Sequence, residues 1–433
     1  MILSKALSKK KFAIYGLGIT GTSAVNYLRK LGVKELYTWD DSRAKRLPLK
    51  GKTSLKIFSK KLNIVDYIVL SPGINIKKTK LKNPLLRNKH KIITDFDLFY
   101  IKNPTVRSIV ITGTNGKSTT CKIIEHLLKK NGFNTQVGGN IGKSILNMKK
   151  RKGTFFIIEA SSFQLENSKF IRPKYAFILN ISKDHLDWHG SMKKYIRSKF
   201  KIFSLQEKND FAFLKERKFI RLFKKNKNLS KLQTVSSLSY KKIKDKIDNK
   251  YLNSKANDEN MSFVYKLSKI LKIKDKSFLK SFKEFNGLPH RHEIFFKKRK
   301  ITFINDSKAT SFESSKFALQ SNSNILWIVG GLPKLKDKFY LNNLKKNIIK
   351  SYIIGKHARF FKNQLKGKIN FLVSKTLSLA LKKIFNEIKN IGSKKEITVL
   401  LSPAGASYDQ YKNFEERGNE FKKLVKSYGK KFF

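Results

Sequence analysis

Short apolar runs alternate with helical stretches along most of this chain. In the first hundred residues, the strand-like run KKFAIYG leads through a glycine turn into the helical stretch AVNYLRKLG. Two more apolar runs, ELYTWDD and VDYIVLSPGI, end in polar or turn residues. Strands that alternate with helices are typical of a parallel α/β sheet. The pattern therefore predicts an α/β domain at the start of the chain.

The same alternation begins again twice. A second series starts near Thr105 with VRSIVIT and continues through FFIIEAS and YAFILNIS. A third follows Gly287 and consists of KITFINDS, NILWIVGG, SYIIG and ITVLLSP. Residues 207–250 are rich in Lys and Asn with weak periodicity, so their elements are not predicted. We predict three α/β domains, at residues 1–103, 104–287 and 288–433.

Composition narrows the class of protein. The chain has 433 residues, 40% of them hydrophobic, which is enough for two or three packed cores. Its one cysteine, Cys121, excludes an intrachain disulfide and a cysteine-based zinc site. The first apolar stretch is too short for a secretion signal, and no window approaches the roughly 18 apolar residues of a membrane span. We therefore expect a cytoplasmic protein without stable membrane insertion.

The formal net charge of +65 indicates either a nucleic-acid-binding protein or a compositional bias. The lysines are spread along the whole chain rather than gathered in a tail or stripe. They are accompanied by many Phe, Ile and Asn residues, whose codons are rich in A and T. We therefore expect a solvated basic surface and no nucleic-acid partner, with nucleic-acid binding as the alternative. The charge should still attract anionic substrates such as nucleotides.

The run IVITGTNGKST at residues 109–119 joins a buried strand to a glycine loop, and the loop opens the helical stretch TTCKIIEHLLKKNG. Backbone N–H groups at such a helix N-terminus bind phosphate, aided by the helix dipole. Lys117 is expected to reach the β- and γ-phosphates of a nucleotide, and Ser118 or Thr119 to coordinate Mg²⁺. The two loop glycines are closer together than in the standard P-loop, and a tight strand–helix turn is the alternative interpretation.

Two polar residues follow the next predicted strands. Glu159 ends the run FFII, at the position where a Mg²⁺ ligand is expected beside a phosphate loop. His185 lies in NISKDHLD, which closes another apolar run, and is a candidate metal ligand. Either residue could instead be an ordinary polar group at the end of a strand.

The run GLGITG at residues 16–21 has the GxGxxG spacing of dinucleotide-binding turns, with Asp40 and Asp41 about 20 residues further on. This arrangement would suit an NAD-dependent oxidoreductase. A GxGxxG alone indicates only that phosphate can approach a glycine turn. The GKST loop of the next domain favours ATP chemistry over hydride transfer.

Polar residues cluster near the start of the third predicted domain, in LPHRHE at 288–293 and NDSKAT at 305–310. Arg291 is a candidate phosphate clamp, because a guanidinium stabilises transferring phosphoryl groups. Asp306 could hold a nucleotide ribose, and Lys308 a carboxylate. Each could equally be a surface residue, but ligands often bind near domain boundaries, which favours a functional cluster.

Together these motifs resemble those of the Mur ligases, which join amino acids to UDP-muramoyl precursors. The runs GTNGKST, EASSFQLE, NISKDHLD, LPHR and NDSKAT occur in the family's order over essentially the whole chain. Within the family, GLGITG, VGGNIG and SPAGASYDQYKNFEERGNE resemble the glutamate-adding branch. The DNPR-type motif of the diaminopimelate-adding branch is absent from the sequence.

The resemblance implies a Rossmann-like N-terminal domain, a central P-loop ATPase-type domain and a Rossmann-like C-terminal domain. Catalytic roles are implied for Lys117, His185 and Lys199. Contacts to ATP are implied for Gly113, Thr114, Asn115, Gly116, Lys117, Ser118, Thr119, Asn257, Asn260, Arg291 and Asp306. Metal ligation is implied for Ser118, Glu159, His185 and a carbamylated Lys199. Contacts to the UDP-linked precursor are implied for Ile19, Thr20, Ser71, Gly73, Asn140 and Ser161. Contacts to glutamate are implied for Lys308, Thr310, Lys334, Ser407 and Phe414.

The resemblance also implies the chemistry. ATP phosphorylates the carboxylate of UDP-N-acetylmuramoyl-L-alanine, the amine of D-glutamate attacks the acyl phosphate, and phosphate leaves. The tasks left to the protein are charge neutralisation and positioning. ATP and two Mg²⁺ ions are the expected cofactors of a monomer in the bacterial cytoplasm. A sister ligase that adds L-glutamate or another amino acid is the nearest alternative, because the sequence does not set the stereochemistry.

Overall fold

The computed structural model describes residues 7–46, 54–249, 251–254, 257–334, 337–340, 342–391 and 395–432. These residues form three sheets flanked by helices, so the predicted α/β class is confirmed. The chain divides into two compact units, Met1–Phe285 and Asn286–Phe433. The finer division into three domains at residues 103 and 288 stays a prediction.

The first sheet is parallel, with the strand order β2-β1-β3-β4. All four residues of β1 are buried, because hydrophobic clusters cover both faces of the sheet. The strands are β1 (Phe12–Tyr15), β2 (Leu36–Trp39), β3 (Tyr67–Leu70) and β4 (Ile92–Ile93). The helices are α1 (Ile19–Lys30), α2 (Arg43–Arg46), α3 (Leu55–Lys61), α4 (Lys82–Arg87) and α5 (Asp95–Lys102), with a 3₁₀ turn at Lys89–Lys91.

The second sheet has six parallel strands in the order β10-β9-β8-β5-β7-β6. The strands are β5 (Arg107–Thr112), β6 (Thr135–Gly139), β7 (Phe155–Glu159), β8 (Tyr175–Ile178), β9 (Phe211–Leu214) and β10 (Lys231–Thr234). The helices are α6 (Lys117–Lys130), α7 (Ser162–Asn167), α8 (Leu186–His189), α9 (Met192–Phe200), α10 (Arg217–Lys225), α11 (Ser237–Lys244), α12 (Asp258–Ile270) and α13 (Asp275–Ser281). Short 3₁₀ turns lie at Ile145–Asn147 and Lys201–Phe203. The weakly periodic residues 207–250 therefore complete this sheet with its two outermost strands on one side.

The first two sheets are joined within one unit by a buried carboxylate. Asp97 accepts hydrogen bonds from the backbone N–H groups of Lys169 and Phe170, both at 2.7 Å. Its other oxygen accepts from the N–H of Thr94 at 2.8 Å, and the Thr94 hydroxyl lies 2.9 Å from that of Ser168. Charge-assisted bonds of this kind are stronger than neutral ones, so they hold α5 against the central sheet.

The third sheet has the order β11-β12-β16-β13-β14-β15, with β11 antiparallel to β12 and the other pairs parallel. Two hydrophobic clusters cover its faces. The strands are β11 (Glu293–Lys298), β12 (Ile301–Asn305), β13 (Ile325–Gly330), β14 (Ile348–Ile354), β15 (Phe371–Lys375) and β16 (Ile397–Leu401). The helices are α14 (Phe312–Gln320), α15 (Ala358–Leu365), α16 (Leu377–Ile391) and α17 (Phe414–Phe432), with a 3₁₀ stretch at Asn342–Asn347. Among all the residues described, no helix is long and apolar enough to cross a membrane.

Candidate active site

The glycine loop between β5 and α6 has the geometry of an anion-binding turn. Gly113 has φ = 156° and Gly116 has φ = 81°, a region that side-chain-bearing residues rarely adopt. A Cβ atom on Gly116 would lie 2.3 Å from Oδ1 of Asn260, so no larger residue fits there. The first N–H groups of a helix have no intrahelical acceptor, and here this end of α6 opens directly from the loop.

Asn180, which follows the neighbouring strand β8, fixes the shape of this loop. The backbone N–H of Thr114 donates to the carbonyl of Asn180 at 2.9 Å, and the N–H of Asn115 donates to the Asn180 side-chain oxygen at 2.9 Å. The amide nitrogen of Asn180 in turn donates to Glu259 at 2.6 Å. The loop is therefore held in its bent form by the protein itself.

Two lysine amines converge on one carbonyl oxygen of the loop. Lys117 Nζ donates to the Gly113 carbonyl at 2.9 Å and to that of Thr114 at 2.8 Å. Lys199 Nζ, on α9, donates to the same Gly113 carbonyl at 2.8 Å and approaches the Thr112 hydroxyl at 3.4 Å. Lys199 is only 1% exposed. Burial, reinforced by the charge of Lys117, holds the pKa of Lys199 well below its ordinary value.

A carboxylate and a hydroxyl meet at the carboxyl end of β7. Ser118 Oγ donates to Oε2 of Glu159 at 2.5 Å, and the side-chain amide of Asn140 donates to Oε1 at 2.8 Å. Glu159 is 2% exposed. The structure therefore brings together three of the residues singled out from sequence, and their oxygen atoms are of the kind that Mg²⁺ prefers.

His185 follows β8 in a left-handed conformation with φ = 52°. Its ring lies 4.7 Å from the ring of Phe163, and its Nε2 lies 3.4 Å from a carboxylate oxygen of Asp184. The Tyr195 ring is 6.3 Å from that of His185, and the Tyr195 hydroxyl lies 3.1 Å from the Thr114 hydroxyl of the phosphate loop. An aromatic cluster thus connects His185 to the loop.

The side chains at this site can hold Mg²⁺ only together with other oxygen ligands. Among the described residues, no group of three or more His, Cys, Asp or Glu side chains could hold a metal ion. Mg²⁺ needs six ligands and commonly takes one or two carboxylates together with substrate phosphates and water. The pair Ser118 and Glu159 suits that arrangement, and a further carboxylate in place of the Lys199 amine would complete it better.

Two asparagines predicted to contact the adenine side lie behind the loop. Asn260 Oδ1 accepts from the Thr120 hydroxyl at 3.2 Å, and its amide donates to Oδ1 of Asn257 at 3.1 Å. Both asparagines are nearly buried. Because a Cβ on Gly116 would strike Asn260, this pair also determines the glycine requirement of the loop.

The predicted precursor-binding residues of the first sheet surround its glycine turn. Ile19, the first residue of α1, is 82% exposed, which is unusual for an isoleucine and leaves its side chain open to a ligand. Ser71 Oγ donates to the Gly16 carbonyl at 2.7 Å. A Cβ on Gly21 would lie 1.7 Å from that same carbonyl oxygen, so the third glycine is needed for close packing. Thr20 is the second residue of α1, and Gly73 lies in the turn that follows β3.

The two aspartates that follow β2 form hydrogen bonds with this turn and with residues beside it. Asp40 accepts from the backbone N–H of Leu17 at 2.6 Å and from that of Ser42 at 2.8 Å. Asp41 accepts from the hydroxyl of Tyr15 at 2.8 Å. Hydrogen bonds within the domain therefore account for carboxylates that sequence alone would suggest as ribose ligands.

Ser161 has a local structural role beside Glu159. Its hydroxyl accepts from the backbone N–H of Gln164 at 3.3 Å, and Gln164 Oε1 accepts from the N–H of Ser161 at 3.1 Å. This reciprocal capping box starts α7 two residues after the β7 carboxylate.

In the second unit, Asp306 lies at the carboxyl end of β12. Its carboxyl accepts from the Ser402 hydroxyl at 2.7 Å and from the backbone N–H of His292 at 3.1 Å. Burial raises the pKa of Asp306 to about 7, although these bonds and the nearby charge of Arg291 act in the opposite direction.

The residues predicted to bind glutamate lie on loops of this unit, except Phe414, which is the first residue of α17. Lys308 Nζ lies 4.7 Å from the ring centre of Phe414. Ser407 is buried, and its carbonyl accepts from two backbone N–H groups of the following turn. Thr310 is half-buried and Lys334 is exposed.

Three residues that shape these sites were not predicted from sequence. Asn180 fixes the phosphate loop, Tyr195 covers Lys199 with its ring centre 4.7 Å from Nζ, and Arg417 is buried beneath the loops of the second unit. Tyr195 could have been found, because it precedes Lys199 by four residues and therefore lies on the same face of α9. Asn180 and Arg417 act on residues distant in sequence, and local spacing gives no indication of such contacts.

Comparison with protein families gives two matches to this chain. The family described as the Mur ligase middle domain matches residues 111–279, and the family described as Mur ligase MurD-like, N-terminal domain, matches residues 10–93. The first match contains the phosphate loop, Glu159, His185 and Lys199.

Curated relatives resemble the chain over nearly its whole length. The UDP-N-acetylmuramoylalanine–D-glutamate ligase of Rickettsia prowazekii (strain Madrid E) is 35% identical, over 97% of this chain and 99% of that protein. The protein of the same name from Caulobacter sp. (strain K31) is 31% identical, over 99% of each chain. Among solved structures, the MurF ligase of Thermotoga maritima in complex with ADP has a TM-score of 0.59, with 14% identity over 98% of this chain and 99% of that one. This last similarity shows the fold alone.

Proposed function

The chain belongs to the Mur ligase family, and we propose that it joins D-glutamate to UDP-N-acetylmuramoyl-L-alanine in an ATP-dependent step of bacterial peptidoglycan synthesis. The observation that carries this proposal is similarity over nearly the full chain to curated ligases of that name, at 31–35% identity. The geometry of the phosphate loop supports the use of ATP.

The phosphate loop is assigned to ATP. Lys117 lies across the loop carbonyls and can turn toward the β- and γ-phosphates, where its charge stabilises the transferring phosphoryl group. The loop geometry prepared by Asn180 lowers the cost of reorganisation when the nucleotide binds. We assign Gly113, Thr114, Asn115, Gly116, Ser118, Thr119, Asn257, Asn260, Arg291 and Asp306 to the same nucleotide.

The reaction proceeds in two steps. A carboxylate oxygen of the alanine attacks the γ-phosphorus, the bond to the β-phosphate bridging oxygen breaks, and ADP leaves. The amine of D-glutamate then attacks the acyl carbon, loses a proton, and expels phosphate with the former carboxylate oxygen. Positioning and charge neutralisation dominate the barrier, because both steps bring negatively charged groups together.

We assign two Mg²⁺ ions to Ser118, Glu159, His185 and a carbamylated Lys199. When bound, the ions would neutralise the negative charge of the phosphates and of the acceptor carboxylate. In forming the carbamate, the neutral amine of Lys199 attacks CO₂, a nitrogen–carbon bond forms, and the amine loses a proton. The burial of Lys199 favours that neutral amine, and the product supplies the extra oxygen ligands that the site needs.

The UDP-linked precursor is assigned to the glycine turn of the first sheet and to groups beside Glu159. Ile19, Thr20, Ser71 and Gly73 form the first set, and Asn140 with Ser161 the second. Because the glycine turn lies in the segment that matches the Mur ligase N-terminal domain, we assign it to the UDP-linked precursor and not to the NAD of an oxidoreductase.

The amino acid is assigned to Lys308, Thr310, Lys334, Ser407 and Phe414. Two cations and two hydroxyls suit a dicarboxylic amino acid, because each carboxylate then has a charge or hydrogen-bond partner. A ligase that adds L-glutamate is the second candidate, since the same groups would bind either enantiomer's carboxylates. We further propose that the enzyme acts as a monomer in the bacterial cytoplasm.

The test is phosphate release from ATP with Mg²⁺ and UDP-N-acetylmuramoyl-L-alanine, with D-glutamate, L-glutamate, L-lysine and meso-diaminopimelate compared in parallel. Release with D-glutamate alone is expected. Release with L-glutamate alone would establish the second candidate. No release with any of the four, from folded protein that binds ATP, would contradict the proposed function.

A further inference from the structure

Arg417, in the first turn of α17, is a buried cation with only neutral partners. Its side chain is 1% exposed. Nε donates to the hydroxyl of Ser307 at 3.0 Å, and Nη2 donates to the carbonyls of Ser307 at 2.8 Å and Gly405 at 3.0 Å. Within the described part of the chain it forms no ion pair with a carboxylate. The charge of Asp409 acts on it only at a distance. A buried charge without a hydrogen-bonded counter-ion is costly, so its presence calls for a reason beyond packing.

The guanidinium lies where three loops of the third sheet meet. Ser307 follows β12, Gly405 follows β16 and Gly331 follows β13, and these three strands are neighbours in the sheet. A Cβ on Gly331 would lie 3.0 Å from Nη1 of Arg417. The Gly331 and Gly405 loops are further joined by two backbone hydrogen bonds between Leu332 and Ala406, each 2.8 Å long. Ligands of parallel α/β sheets bind at this carboxyl edge.

The same loops hold the residues assigned to the amino acid. Lys308 follows Ser307 directly, and Ser407 lies two residues after Gly405. The Ser307 hydroxyl also donates to the carbonyl of Phe414 at 2.9 Å. Three of the five assigned residues therefore lie on segments that hydrogen bonds connect to one guanidinium.

We propose that Arg417 is a positioning residue for the amino-acid substrate, whose buried positive charge and planar donors hold the three loops and attract a substrate carboxylate. The choice of glutamate as that substrate rests on the proposed function. The attraction is strong because the charge lies in a low-dielectric environment and, among the described residues, the nearby charge of Asp409 acts on it without an ion pair.

Lysine cannot reproduce this arrangement. Its single ammonium nitrogen keeps the charge but cannot present Nε and Nη2 in one plane to Ser307 and Gly405. With lysine, the loops would therefore lose the hydrogen bonds that connect them while the positive charge remained. Substitution can thus separate the effect of the hydrogen bonds from the effect of the charge.

The experiment compares Arg417→Met, Arg417→Lys and the matched control Arg359→Met, which removes an exposed arginine from α15 of the same unit. KM values for D-glutamate and ATP, kcat and the melting temperature are measured for each. For Arg417→Met we expect a rise in the KM for D-glutamate of about 100-fold, with the KM for ATP changed by less than about 3-fold. Arg417→Lys should give about a 10-fold rise, and Arg359→Met none.

A purely structural role would lower the melting temperature of Arg417→Met and leave the KM for D-glutamate unchanged, which would overturn the proposal. If Arg417→Met does not fold, Ser307→Ala removes one bond only. It should raise the KM for D-glutamate about 5-fold, and an unchanged KM would again contradict the proposal. If the wild-type enzyme instead uses another amino acid, only the proposed function fails, and the same KM comparison is made with that amino acid.

Discussion

Lys199 in the first unit and Arg417 in the second are both buried basic side chains whose hydrogen bonds go to neutral oxygens, yet burial affects them differently. Each is 1% exposed. Lys199 donates to the carbonyl of Gly113, and its pKa lies well below the ordinary value because of burial and the charge of Lys117. Burial lowers the pKa of Arg417 only to about 10, so it stays charged at neutral pH. A buried lysine therefore provides a reactive amine, and a buried arginine provides a fixed charge.

The largest effect is expected from Lys199→Arg, which places a guanidinium, as at Arg417, in the position of the Lys199 amine. A guanidinium keeps its proton and cannot carry a carbamate, so phosphate release should fall by at least about 1,000-fold. Lys194→Arg, on an exposed position of α9, is the matched control and should retain full activity. Incubation with ¹³C-bicarbonate should give a carbamate NMR signal in the wild type and none in Lys199→Arg. Substantial activity in Lys199→Arg would refute the role of the neutral amine.

The same burial argument applies to acids with the opposite sign. Burial, with the charge of Asp97, raises the pKa of Asp95 to about 7 from 3.8. Within the described part of the chain, its Oδ1 has no hydrogen-bond partner. Between about pH 4 and 7 the folded protein keeps a proton that the unfolded chain has lost, so the free energy of unfolding falls as the pH rises through this window.

The variant Asp95→Asn should not show this fall in the free energy of unfolding, because its side-chain amide does not titrate. Its free energy of unfolding should exceed that of the wild type at pH 8 by at most about 4 kcal/mol, and the difference should shrink toward pH 4. Urea unfolding at both pH values measures it. A difference between the two proteins that does not change with pH would show that the Asp95 carboxyl does not keep its proton in the folded state.

Two glycines test whether the sites beside Lys199 and Arg417 can be disturbed separately. In Gly116→Ala the new Cβ would lie 2.3 Å from Oδ1 of Asn260, and the backbone has φ = 81°. In Gly331→Ala the new Cβ would lie 2.4 Å from the Ala406 carbonyl oxygen, and the backbone has φ = 120°. Strain of about 1–3 kcal/mol should raise the KM for ATP in Gly116→Ala about 10-fold or more. Gly331→Ala should instead raise the KM for D-glutamate. If both substitutions raised the same KM, the assignment of the two loops to separate ligands would be wrong.

The smallest effect is expected from a pair of helix caps, one in each unit. Ser161 and Ser311 both form capping boxes, and Ser161→Ala and Ser311→Ala should each cost about 1 kcal/mol of stability. Only Ser161→Ala should also raise the KM for the UDP-linked precursor, because only Ser161 is assigned to it. Thermal unfolding and steady-state kinetics on the same preparations measure both effects.

The strands and the phosphate loop could be predicted from sequence because their causes are local. The run VRSIVIT predicts a buried strand, and β5 is indeed buried between two hydrophobic clusters. The run GTNGKST predicts a tight turn into a helix, and α6 begins at that turn. Glu159 was found because it ends the strand run FFII, at the edge where parallel strands place their carboxyl ends. Asp306 was found because polar residues cluster near the start of the third predicted domain.

The remaining features depend on long-range contacts. Asn180 bonds to a loop 65 residues earlier, Asn260 to Thr120 at a separation of 140, and Arg417 to Ser307 at 110. Residues 207–250 were not predicted because β9 and β10 are four-residue strands. β10 is also an edge strand with an exposed Lys231, so neither strand gives a long apolar run.

The central claim, that this chain forms an amide bond through an acyl phosphate, is tested most directly with ¹⁸O. UDP-N-acetylmuramoyl-L-alanine labelled in its carboxylate is incubated with ATP, Mg²⁺, D-glutamate and the enzyme, and the released phosphate is analysed by mass spectrometry. The account predicts one labelled oxygen in each phosphate, because the carboxylate oxygen that attacks phosphorus leaves with it. Unlabelled phosphate, or phosphate formed equally well without D-glutamate, would contradict the account.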